Sequence, residues 1–144
     1  MNPDKYQELA DRTLCSQEGA MRRIQQNPGS VQMLHSVIGM MGELGELASN
    51  LEKWLWYDQG FDMTNFKEEL GDMNWYEAEA LNAMEVKFSS ILETNIKKLQ
   101  KRYPDKFEGE LAKEENRDRG AERAILEEGE RAVKVGDGVT IIRE

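Results

Sequence analysis

The sequence is poor in residues that usually advertise a chemistry. Its one cysteine, Cys15, excludes an intramolecular disulfide and a cysteine-rich zinc site, and points to a reducing compartment. Its one histidine, His35, has glutamine three residues before it, at Gln32. A di-iron carboxylate bundle draws Glu-x-x-His motifs from its helices, so that reading fails. No apolar run approaches the ~18 residues that span a membrane. The start, MNPDKYQELADR, is charged and has no signal-peptide apolar stretch. A cytoplasmic protein with no membrane partner is expected. Basic residues are also outnumbered, 19 against 28 acids, for a net charge of −9. That sign disfavours nucleic-acid binding through phosphate contacts. It does not exclude an anionic substrate, because a bound cation inverts the local field.

What remains is helical material. Apolar residues make up 39% of 144, enough for one modest core rather than an acidic disordered tail. A short helical chain of this kind often completes its core by oligomerising. Proline and glycine punctuate it sparingly. Asn2-Pro3 predicts a helix through about Leu14. A polar stretch from Cys15 to Gly29 follows. Ser30 is placed to cap a long helix to about Tyr57. After a loop over 58–63, Thr64 is placed to cap a third helix to about Ala83. A fourth runs from about Glu85 to Arg102, before Pro104. Beyond Phe107 the chain is strongly charged, with a short helix expected around Ala121–Glu128. The last residues read equally as a β-hairpin turning at Gly136-Asp137-Gly138 or as a frayed terminus.

The long helix divides into two faces at ~100° per residue. Leu34, Val37, Met41, Leu44, Ala48, Leu51 and Leu55 form an apolar stripe, read as core. Roughly opposite lie His35, Gly39, Gly42, Glu43, Glu46, Asn50 and Lys53. Two glycines in a helix interior each cost ~1 kcal/mol against alanine, so their presence beside acids suggests a close approach to the backbone. Glu43 and Glu46 are three apart and sit one above the other. Glu69 and Asp72 repeat this on the next helix, with Tyr76 four past Asp72. Paired acids on antiparallel neighbours can converge, and such a cluster needs a cation. All the donors are hard oxygens, which suits Mg²⁺ or Mn²⁺. The plainer alternative is a set of solvated surface acids. On the fourth helix Asn95, Lys98 and Arg102 flank the stripe Phe88, Leu92, Ile96 and Leu99. They read either as donors to phosphate oxygens or as a solvated basic helix end.

The stretches LHSVIGMMGELGELASNLEKWLWY, EELGDMNWY and NIKKLQKRYPDKF, in that order over about residues 34–107, resemble the MazG-like nucleotide pyrophosphohydrolases, especially the small phage and bacterial single-domain members. Twenty-two residues separate Glu46 from Glu69. The resemblance implies an all-α fold: an antiparallel bundle of four to five helices completed as a homodimer or homotetramer. It implies a catalytic domain over 1–107 and a charged extension over 108–144. It implies that Glu43, Glu46, Glu69 and Asp72 bind Mg²⁺, and that Lys53, Asn95, Lys98 and, more weakly, Arg102 contact the triphosphate.

The activity so implied is hydrolysis of a nucleoside triphosphate to monophosphate and pyrophosphate, in a bacterial cell or phage-infected host. Water attacks the α-phosphorus, with Glu43 or Glu46 orienting it. His35 reads equally as lining the base pocket or filling an interface, Tyr76 is a candidate substrate contact, and Trp54, Trp56 and Trp75 stack on a base or serve as core or interface. Glu79, seven past Asp72, reads as an exposed acid. The rival reading from another class is a non-enzymatic acidic binding protein, such as a nucleic-acid mimic. It would scatter its acids and have no need of Gly39 and Gly42 beside them.

Overall fold

The structure, a computed structural model, describes residues 2–133, and the side chains of 2–128. It is all-helical, with no strand among the described residues. In order come α1 (Pro3–Asp11), α2 (Gln17–Gln26), α3 (Ser30–Tyr57), α4 (Met63–Ala83), α5 (Phe88–Arg102), the single turn α6 (Gly109–Ala112), a 3-10 turn (Glu114–Asn116) and α7 (Arg119–Val133). None is long and apolar enough to cross a membrane. The expected hairpin at 136–138 lies outside the described residues.

Helices α1, α2 and α4 start at side-chain caps, whereas α3 follows Gly29 without one, so Ser30 is its first residue rather than its cap. Asn2 accepts from the Asp4 amide at 2.9 Å. Ser16 accepts from the Gly19 amide at 3.2 Å, starting a helix inside what the sequence had suggested was a polar connector. That stretch has little apolar content, so its periodicity is faint, but one capping serine suffices to start it. The cap of α4 is Asp62, not Thr64. Its Oδ1 accepts from the amides of Thr64 at 3.1 Å and Asn65 at 3.0 Å. The fourth expected helix starts later than Glu85, at Phe88, because Glu85 takes a left-handed conformation, φ 55°.

The architecture rests on two packed helix pairs, α3 with α4 and α5 with α7. Only the five residues between Tyr57 and Met63 link α3 to α4, so the two run antiparallel. At ~1.5 Å per residue α3 is about 42 Å long. Contacts pair off down the seam. Gly29, at φ 85°, faces the Ala83 carbonyl at one end. Gln32 Nε2 donates to Glu79 Oε2 at 2.8 Å. Gly39 receives the Tyr76 ring. Asn50 Nδ2 donates to the Asp62 carbonyl at 2.8 Å at the other end. Trp54, Phe61 and Phe66, tilted against one another with centroids 5.4 and 5.2 Å apart, brace the loop.

This seam corrects the reading of the apolar stripe. The side of α3 that packs on α4 is the polar one, carrying Gln32, Ser36, Gly39 and Asn50. The stripe faces outward: Met41 is 69% exposed, and Leu34, Val37, Leu44 and Leu55 are about half exposed or more. Leu47 and Leu81 are the only buried apolar side chains among the described residues. Of the expected polar face, His35, Gly42, Glu46 and Lys53 are themselves exposed, and a wheel cannot tell which side a neighbour within the chain will cover. Glu79 is likewise half-buried and engaged by Gln32 rather than freely exposed.

Candidate metal centre

Three carboxylates converge where the seam passes mid-helix. Ligand oxygens of Glu43, Glu69 and Asp72 all lie within 4.8 Å of one another. Glu43 comes from α3; Glu69 and Asp72 are one turn apart on α4. Glu69 is buried, Glu43 half-buried and Asp72 exposed, so the cluster opens to solvent on one side. Among the described residues no lysine or arginine forms an ion pair with any of the three. Their mutual repulsion is therefore uncompensated among the described residues. The Glu43 carboxyl is accordingly held above the usual carboxylate range. Its hydrogen bond to Glu69 is the main cause, then partial burial, then the negative charges of Glu69, Glu46 and Asp72. A set of hard oxygens that favours protonation when empty is chemically suited to a small divalent cation.

Glu46 is not part of this trio. It is exposed and one turn along α3, near enough for its charge to act on Glu43. Lys53 is exposed near the end of α3. Asn95 and Lys98 lie on α5, which packs on α7 rather than along the α3–α4 seam.

Arg102 is committed elsewhere. Its Nε and Nη2 donate to the two oxygens of Glu122 on α7, both at 2.8 Å. Arg117 Nη2 reaches the same carboxylate at 2.6 Å. The Arg102 guanidinium is strengthened as a cation, chiefly by its hydrogen bond to Glu122. Glu122, buried between the two arginines, is held well below the usual carboxylate range by those bonds, Arg102 first.

An aromatic corner adjoins the acids. Tyr76 is one turn from Asp72, and Gly39 one turn from Glu43. A Cβ on Gly39 would overlap Cε1, Cζ and Cδ1 of the Tyr76 ring. The close approach expected at this glycine is thus made by the protein itself. Gly42, by contrast, has open space where its Cβ would be. His35 meets Tyr76 edge-on at 5.5 Å, and Trp75 meets it at 5.0 Å. The sequence missed Asn65, whose Nδ2 donates to Glu69 Oε1. The available signal was its position four residues before Glu69 on one helix.

Residues 33–107 match the family model described as the MazG nucleotide pyrophosphohydrolase domain. The chain belongs to this family. The matched segment runs from α3 through α5 and contains all three clustered carboxylates. The chain is also similar to the Gene 37 protein of Mycobacterium phage L5, 35% identical over 69 residues. That alignment covers 45% of this chain and 60% of the relative's length. No solved structure matches the chain. Helices α6 and α7 lie beyond the matched MazG segment.

Proposed function

We propose that the protein is a Mg²⁺-dependent nucleoside triphosphate pyrophosphohydrolase that releases a monophosphate and pyrophosphate. The observation that carries this is the meeting of Glu43, Glu69 and Asp72, with no ion-paired lysine or arginine among the described residues, inside a segment matching a pyrophosphohydrolase family. Glu43, Glu69 and Asp72 hold the cation, with Glu46 beside them to complete the set or orient the water. Mn²⁺ substitutes. Bound there, the metal lowers the pKa of a water and screens phosphate charge. Attack at the α-phosphorus follows from the family. Lys53, Asn95 and Lys98 are assigned to the β- and γ-phosphates, where charge builds on the leaving pyrophosphate. Arg102 is left out, because Glu122 uses its fork. Tyr76, a turn from Asp72, and His35, which meets its ring edge-on, are assigned to the base.

We further infer a homo-oligomer, a dimer being the simplest closed solution. The exposed stripe on α3 supports it. Burying a side chain such as Leu44 or Met41 contributes ~1.5–3 kcal/mol, and a second copy covers several at once.

Incubation with Mg²⁺ and a panel of ribo- and deoxynucleoside triphosphates, with products separated by ion exchange, tests the reaction. Equal monophosphate and pyrophosphate are expected. Diphosphate with orthophosphate would mean a γ-phosphatase. Absence of turnover across the panel would favour the acidic binding protein.

A further inference from the structure

Glu69 is a buried carboxylate that no side-chain cation among the described residues neutralises, yet its position is fixed. It is 5% exposed. One oxygen, Oε1, accepts from Asn65 Nδ2, one turn earlier on α4. Asn65 is itself held across the seam. Its Oδ1 accepts from Asn50 Nδ2 at 3.1 Å, and Asn50 also donates to the Asp62 carbonyl at 2.8 Å. Asn50 is 6% exposed, and both of its amide hydrogens are used. The relay begins at a backbone carbonyl on the α4 cap and ends at Glu69, linking α3 to α4 on the way.

We propose that Asn65, oriented by Asn50, is a positioning residue that presents Glu69 to the cation without sharing its charge; this rests on the metal-site reading above.

The direction of the relay is forced. A backbone carbonyl only accepts, so the Asn50 NH₂ must face Asp62 and Asn65. The Asn65 oxygen must then face Asn50, which turns its NH₂ toward Glu69. A carboxyl oxygen accepts, so the relay ends on Glu69 with matching polarity. A wrong rotamer at either asparagine would set oxygen against oxygen in a buried place, a penalty of about 1–3 kcal/mol.

The choice of amides matters. A lysine or arginine at position 65 would fix Glu69 equally well, but its charge would compete with the metal for the same oxygen. An amide gives one directed hydrogen bond and leaves the formal charge in place. Glu69 still meets Glu43 and Asp72, with ligand oxygens within 4.8 Å of one another. Because Asn50 belongs to α3 and Asn65 to α4, the relay sets the register of Glu43 against Glu69 and Asp72. Outer partners of this kind typically change metal affinity by ~10–100-fold when removed.

Calorimetric titration with Mn²⁺ alone, without nucleotide, tests the proposal on the full chain. Asn65→Leu keeps the size and removes the amide. Asn65→Gln keeps the amide on a longer stem. Asn74→Leu alters an exposed asparagine of the same helix. We expect Asn65→Leu to bind Mn²⁺ about tenfold more weakly at unchanged helical circular dichroism. Asn65→Gln is expected to stay within about threefold of wild type, and Asn74→Leu to match it. A folded Asn65→Leu within about twofold of wild type would overturn the proposal. So would an Asn65→Gln protein as weak as Asn65→Leu, since the effect would then be one of shape. If Asn65→Leu does not fold, Asn65→Ser, whose hydroxyl is too short to reach Glu69, makes the same comparison. Wild-type protein that binds no Mn²⁺ would instead remove the metal reading itself.

Discussion

The ring of Tyr76 lies directly on the backbone of Gly39, where any side chain would overlap it. This contact fixes how closely α3 and α4 approach a turn away from the carboxylates. Gly39→Ala gains ~1 kcal/mol in helix propensity but meets the ring, and overpacking costs about 1–3 kcal/mol. The net expectation is a lower unfolding midpoint and a displaced Tyr76. Ser36 supplies the contrast. It is fully buried and its hydroxyl has no hydrogen-bond partner among the described residues. Its role in the seam is to be small, so Ser36→Ala is expected to leave the midpoint unchanged or raise it. Thermal unfolding of both variants by circular dichroism checks this. A stable Gly39→Ala would mean that the pair is not packed this way.

The contrast also shows what could be read in advance. Glu43 and Glu46, and Glu69 and Asp72, stood out because three-residue spacing on a helix is a local property. Long helices with strong periodicity, α3 and α4, were placed to within a residue or two. Asn50 was visible on the acid-bearing face, but its partner Asn65 was not, since the relay depends on the register of two helices. The outward stripe was misread for the same reason. Both faces of α3 demand cover, and only the tertiary arrangement says which is covered within the chain. Arg102 looked like a phosphate ligand until Glu122, twenty residues on, supplied it with a fork.

That outward stripe gives the prediction on assembly. Val37 and Leu44 are about half exposed in the single chain. Replacing both by lysine therefore costs the isolated chain little. If a second copy covers them, the double variant loses that contact and buries charge against it. Light scattering is expected to give more than one chain for wild type and one for the variant, with turnover down by at least about tenfold. A wild-type monomer at micromolar concentration would refute the assembly.

The Arg102–Glu122–Arg117 group should act as an acid-sensitive lock between α5 and α7. Glu122 has a folded pKa far below its ordinary value. Its contribution to stability is therefore present above the usual carboxylate range and lost as pH falls toward the folded value. Glu122→Gln takes the carboxylate from Arg102 and leaves Arg117 with Glu114 alone, at 3.3 Å. At pH 7 its midpoint is expected to drop by more than about 5 °C. The gap between variant and wild type should narrow steadily below pH 4. Faster amide exchange in α7, with α3 and α4 less affected, would locate the change. A gap independent of pH would assign Glu122 a packing role only.

The carboxylate cluster should show the opposite pH dependence, and this makes the metal reading testable without nucleotide. The Glu43 carboxyl is raised above its ordinary value of 4.5, first by its hydrogen bond to Glu69. The folded protein thus holds more proton than the unfolded one between that value and the raised one. Stability from this group is full below the ordinary pKa and is lost as pH rises through the folded pKa. A cation replaces the proton and removes the penalty. Mg²⁺ is therefore expected to raise the midpoint more at pH 8 than at pH 5. Within the titration range its binding should release protons, read as a dependence of the calorimetric heat on buffer ionisation enthalpy. Glu43→Gln should unfold later than wild type at pH 8 without metal, since it removes one repelling charge. It should also lose most of the Mg²⁺ stabilisation and at least the ~10–100-fold in turnover that an outer-shell partner alone would cost. A midpoint shift by Mg²⁺ that is equal at both pH values, or undiminished in Glu43→Gln, would show that the cation binds elsewhere.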